Sequence, residues 1–179
     1  MSILKPSSLL MLLWISSPVN ASSSDDWETF SDIGAYGLVG VALALPAYKG
    51  DWEGFRQAGY SVVTAAGVGL LGKSLIDAER PDESGNDSFP SNHTANAFAA
   101  ATTLNIRYGW EVSFPAYGVA TLVGIGRVKA DKHYWKDVLA GAAIGSLSGW
   151  IFTDSFDDTI QIVPWAESDE AGLMVTISW

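Results

Sequence analysis

The chain holds two histidines in 179 residues, His93 and His133, and each lies near the end of an apolar, helix-compatible stretch. Lys73 is followed, after six intervening residues, by Arg80-Pro81. Pro90-Ser91-Asn92-His93 opens an apolar stretch, Arg127 precedes His133 by six positions, and Asp137 follows it by four. Imidazole serves near neutral pH as nucleophile, acid or base, and Lys and Arg present fixed positive donors to oxyanions. Gathered on one rim, Lys73, Arg80, Arg127 and the two imidazoles suit an oxyanion, most simply a phosphate.

Each residue also has a plainer reading. A His–Asp pair four apart fits a helix-surface contact, Ser91 fits an N-cap, and Lys73 fits a side chain reaching from its helix to water. Lys129, Lys132 and Lys136 match no pattern and read as a solvated or headgroup-facing surface. Asp82, Glu83 and Asp87 read as a solvated turn.

Positioning these residues falls to five apolar, helix-compatible segments, at about 33–48, 59–76, 94–106, 114–128 and 138–152. They are rich in Ala, Gly, Val and Leu without a wide polar face, as closely packed helices are. If they run antiparallel, the ends of the second and fourth share a face with the starts of the third and fifth. That face collects Lys73, Arg80, His93, Arg127, His133 and Asp137. Aromatic residues such as Tyr48, Trp52, Tyr108, Trp110 and Trp135 cluster at the segment ends. A membrane interface wants them there, and so does the rim of a soluble bundle; both readings stand. Residues 22–32 read as a polar linker. Runs at 160–165 and 173–179, split by an acidic turn, predict a short hairpin ribbon packed against the helices.

Composition bounds the partners. Twenty Asp and Glu against ten Lys and Arg give a formal charge of −10, which argues against nucleic acid. The absence of cysteine excludes a disulfide framework, a thiolate metal site and a thiol nucleophile. Residues 1–21, with Lys5, an apolar core and a small-residue ending at Ala21, predict an export signal or a short first transmembrane helix. A mean hydropathy of +0.18 is high for a soluble protein and low for ordinary membrane spans.

The three motifs over 73–137 together resemble the signature of the type 2 phosphatidic acid phosphatase (PAP2) superfamily. This group includes lipid phosphatases, class A acid phosphatases and vanadium haloperoxidases. The resemblance implies an all-α bundle of about five apolar helices over 33–153; the tail at 154–179, with the hairpin, follows it. It implies that His133 is the nucleophile forming a phosphohistidine, that Asp137 holds its other ring nitrogen, and that His93 protonates the leaving oxygen. Lys73, Arg80 and Arg127 would clamp the phosphate oxygens, with Ser91 and the Asn92 N–H adding donors at a helix N-terminus. It implies no metal and no cofactor. Two positions depart from the pattern: Asn92 stands where glycine is commonest, and Gly126 where serine usually precedes the arginine.

With the export signal, this predicts an envelope enzyme cleaving a phosphate monoester or pyrophosphate of a lipid-like substrate such as phosphatidate or undecaprenyl pyrophosphate. Its expected place is a bacterial inner membrane, with the site facing the periplasm. A soluble periplasmic acid phosphatase, a vanadate-dependent haloperoxidase and a non-catalytic lipid-phosphate-binding protein are the alternatives. The sequence does not specify an oligomeric state.

Overall fold

A computed structural model describes residues 23–155, 160–167 and 170–177; the export-signal reading of 1–21 lies outside them. Five helices follow in order: α1 Ser24–Lys49, α2 Trp52–Leu75, α3 Asn92–Tyr108, α4 Trp110–Lys129 and α5 Trp135–Phe152. All five apolar segments coincide with helices, and most of these helices extend further at their N-terminal ends, where polar residues can carry the caps. Ser23 accepts from the Asp26 N–H at 3.2 Å, and Asp51 accepts from the Gly54 N–H at 2.9 Å. These acceptors satisfy N–H groups that a helix start leaves without partners. Between α1 and α2, Gly50 takes a left-handed φ of 71°, which lets α1 close and α2 begin at once.

The stretch expected as a linker, 22–32, is helical from Ser24 onward and forms the first turns of α1. Its polarity is that of a capped helix start: Asp25 and Asp26 complement the positive end of the helix dipole. As a result Glu28, Ser31 and Asp32 stand on the bundle, beside the loops that carry the candidate site.

α3 is the hub and packs against each of the other four helices. Ala95, Ala97, Ala99, Ala100 and Ala101 are fully buried along it, since small side chains let the surrounding helices approach. α5 approaches most closely through glycine. A Cβ added at Gly145 would lie 2.1 Å from the Ala95 carbonyl oxygen, and one at Gly141 would lie 2.4 Å from that of Ser91. The outer surface is the reverse. Val63, Leu71, Phe114, Leu139, Trp150 and Ile151 are all exposed. One described helix, α1, is long and apolar enough to cross a membrane.

The tail forms β1 Ile160–Glu167 and β2 Glu170–Ile177, paired antiparallel from Ile160↔Ile177 to Glu167↔Glu170. The hairpin is as expected.

Candidate active site

The antiparallel run of helices puts two loops on one face: 76–91 between α2 and α3, and 130–134 between α4 and α5. The first starts after Lys73 in the last turn of α2 and folds back on itself. Arg80 donates its N–H to Gly85 O and Ser88 donates to Ala78 O, both at 2.9 Å. The Asp82 N–H donates to Asp131 O at 3.0 Å and ties the two loops together. Lys132 reinforces that tie. Its ammonium lies 3.0 Å from Asp82 and 3.3 Å from Glu28 of α1, so it is an internal strut and not the solvated cation expected. The hydrogen bond to Asp82 holds the Lys132 ammonium above its ordinary range. Lys129 and Lys136 are exposed.

His133 sits in the second loop, two residues ahead of α5, and is buried. Its Nδ1 lies 2.7 Å from the carbonyl oxygen of Ser88. A carbonyl only accepts, so Nδ1 carries the proton and Nε2 is left with its lone pair. Burial first, and then the positive fields of Arg127 and Lys73, lower the imidazole from its ordinary value to about 3. The ring is therefore neutral across the physiological range, the state a nitrogen nucleophile needs.

Asp137 does not hold this ring directly, contrary to expectation. Its Oδ2 is 3.9 Å from His133 Nδ1, beyond hydrogen-bond reach. The four-residue spacing would bring the two side chains together on one helix, but His133 lies outside α5. Asp137 Oδ2 instead accepts from the Tyr134 N–H at 2.9 Å and from the Ser88 hydroxyl at 2.6 Å. The carboxylate thus fixes Ser88, and the Ser88 carbonyl fixes the histidine. The sequence reading missed Ser88, which only a spatial contact identifies.

The cations converge on the same rim, each with a carboxylate. Arg80 makes a two-pronged contact with Asp87, at 2.7 Å from Nε and 3.0 Å from Nη2. Lys73 donates to the Asp87 carbonyl and stands 3.6 Å from its carboxylate. The hydrogen bond from Arg80 holds the Asp87 carboxyl down at about 2, and this carboxylate, exposed as a solvated turn would be, also pairs with the cations of the site. Arg127, in the last turn of α4, is buried and donates from Nη1 to Asp32 Oδ1 at 2.8 Å. The same oxygen lies 3.1 Å from His93 Nε2, and the His93 ring rests edge-on against Tyr36. Asp32 also escaped the sequence reading, since no local pattern ties a residue of α1 to motifs some sixty or more positions away.

Ser91 caps α3 and Asn92 is its first residue, so the Asn92 N–H lies at the helix N-terminus. Ser91 is fully buried and its hydroxyl is committed to the cap, 2.9 Å from Thr94 Oγ1 and 3.5 Å from the Thr94 N–H. The Asn92 amide points to α2, where its Nδ2 donates to Ala66 O at 3.4 Å. Gly126, at the position where a hydroxyl was expected, packs on α1. A Cβ there would lie 2.9 Å from that of Ser31, whose hydroxyl is 3.4 Å from Arg127 Nη1. The glycine lets α1 close in and bring its own hydroxyl and carboxylate to the arginine.

Comparison with known proteins places this architecture. The PAP2 superfamily profile matches residues 71–160, which contain both loops and all the candidate residues outside α1. The chain is 40% identical over 125 residues to the lipid A 1-phosphatase of Porphyromonas gingivalis, covering 62% of this chain and 27% of that protein. It is 38% identical over 122 residues to lipid phosphate phosphatase 1 of Arabidopsis thaliana, covering 60% and 36%. The match thus spans roughly a quarter to a third of the length of these relatives. Among solved structures, Aquifex aeolicus LpxE aligns with a TM-score of 0.62 at 24% identity, over 72% of this chain and 83% of that one. The transmembrane PAP2-type phosphatidylglycerolphosphate phosphatase of Bacillus subtilis aligns with a TM-score of 0.52 at 27% identity, over 72% and 74%. With five helices around a central α3 and its basic, histidine-bearing loops on one face, the chain belongs to the PAP2 superfamily.

Proposed function

We propose that the chain is a phosphatase that removes phosphate from a monoester or pyrophosphate of a lipid-like substrate, through a phosphohistidine and without a metal. The observation that carries this reading is the neutral His133 ring, fixed through Nδ1 on a carbonyl amid three cations. His133 Nε2 attacks phosphorus while the bond to the leaving oxygen breaks, and His93 delivers a proton to that oxygen. Water then attacks the phosphohistidine, gives its proton to His93 and releases inorganic phosphate. Lys73, Arg80 and Arg127 offset the charge on the transferring group, where a loose transition state concentrates it. Asp137 acts through Ser88, as a positioning residue.

A lipid substrate and a membrane location are supported by the apolar outer face of the helices and by the relatives, among them a lipid A 1-phosphatase, a lipid phosphate phosphatase and a transmembrane phosphatase. In an envelope membrane, both loops of the site would share the outer face. Phosphatidate and undecaprenyl pyrophosphate are the substrates to try first, with p-nitrophenyl phosphate as a soluble comparison. The test is phosphate release by the full chain in EDTA, beside a His133→Ala variant. We expect turnover that survives EDTA and falls by about a thousandfold or more in the variant, as when a covalent nucleophile is removed. Equal turnover in the variant, or loss in EDTA, would rule out this mechanism.

A further inference from the structure

We propose that Asp32 is an affinity-setting residue of the phosphate site: its carboxylate stands where a phosphate oxygen binds and gives way to substrate. The inference rests on the phosphatase reading for its mechanism, but its test is a binding test. One oxygen, Asp32 Oδ1, lies 2.8 Å from Arg127 Nη1 and 3.1 Å from His93 Nε2. These are the two groups assigned to a phosphate oxygen and to the leaving oxygen. Their convergence on a single acceptor is the geometry an oxyanion would have there.

The two sides of the contact differ in freedom. The Arg127 side chain is 4% exposed and fixed by α1 and α4, whereas that of Asp32 is 39% exposed. Asp32 is therefore the partner able to turn away into solvent. Arg127 also keeps a buried Nε–H with no acceptor. A buried donor left so is costly, and an acceptor with more than one free oxygen would relieve it. Asp32 Oδ1 meets one guanidinium nitrogen, while a tetrahedral phosphate, carrying up to two negative charges, can present separate oxygens to Nη1 and Nε.

Two consequences follow for the reaction cycle. Asp32 keeps Arg127 and His93 aligned before substrate arrives. After hydrolysis it competes with inorganic phosphate for the same donors, which weakens product binding and speeds its departure. Apparent affinity is reduced by the fraction of time the carboxylate occupies the position.

The test is calorimetric titration of inorganic phosphate into the detergent-solubilised full chain. Asp32→Asn and Asp32→Ser remove the charge and keep a polar group. Glu111→Gln removes one negative charge from the opposite end of the bundle, as a control for net charge. We expect both Asp32 variants to bind phosphate at least about tenfold tighter than the unaltered chain, the scale of a like charge removed from a binding site. The control should bind unchanged. Equal or weaker binding by folded Asp32 variants would overturn the inference, as would no binding by any chain. Tighter binding by the variants, with no hydrolysis of any ester by the unaltered chain, would uphold it and remove the phosphatase reading instead.

Discussion

At the scale of single residues, the proposed chemistry depends on which nitrogen of His133 carries the proton. The Ser88 carbonyl decides this, and Ser88 is in turn gripped by a fully buried Asp137. Removing the Ser88 hydroxyl leaves the carbonyl present but frees it to move, and deprives Asp137 Oδ2 of one of its two donors. Asp137 Oδ1 is already buried without a partner, so this carboxylate has no other donor in place to compensate. We expect Ser88→Ala to lower kcat by about ten- to a hundredfold with little change in KM, the range seen when an outer partner of a functional histidine is lost. Steady-state kinetics would check this. A matching loss in KM alone would show that Ser88 acts on binding and not on the ring.

At the scale of elements, the site exists because α5 lies almost backbone to backbone against α3. That approach seats the 130–134 loop over the start of α3, where the Ser91 N–H donates to Asp137 O at 3.1 Å. Gly141 and Gly145 are the points of contact, and the clash at Gly145 is with backbone, which cannot rotate aside. Gly145→Val should therefore force the helices apart. We expect a loss of stability of at least about 1–3 kcal/mol, the usual cost of overfilling a packed interior. Thermal unfolding followed by the tryptophans would measure it, and an unchanged midpoint would show that α5 adjusts without strain.

At the scale of the whole molecule, the two ends of the bundle are built for different tasks. The site end gathers cations paired with carboxylates that reach solvent. The other end is locked by a buried pair, with Arg107 donating to Asp51 at 2.5 and 2.7 Å and the Tyr108 hydroxyl adding a third bond at 2.6 Å. Burial pushes the Asp51 carboxyl up, but hydrogen bonds from Arg107, Tyr108 and the Gly54 N–H prevail and bring it down to about 2. A carboxyl lowered in the folded state stabilises it fully above its unfolded value of 3.8, and that contribution is lost as pH falls from 3.8 to about 2. Asp51→Ala removes the carboxylate and leaves Arg107 buried. We expect a loss of about 3–5 kcal/mol at neutral pH, shrinking through that acid window. Unfolding midpoints at pH 7 and pH 3 would test both parts.

Much of this molecule was legible from the chain alone. The five helices follow from apolar runs of helix-forming and small residues, and the cap at Ser91 acts within one turn. The catalytic candidates follow from spacing, because two histidines and three cations next to helix ends must share a face once the helices alternate in direction. Signals that act over a few residues, or through simple alternation, are written locally. Tertiary structure decided the rest. It turned Asp137 away from His133 and onto Ser88, because a loop residue does not keep helical spacing from the helix after it. It brought Asp32 from a stretch read as a linker to the centre of the cationic cluster, through the close contact of α1 with α4 at Gly126. It paired Asp87 with Lys73 and Arg80, and Lys132 with Glu28 and Asp82, where the sequence showed only solvated charges. Each of these depends on a distance between elements far apart in the chain, and such a distance is set by how helices pack rather than by any neighbouring residue.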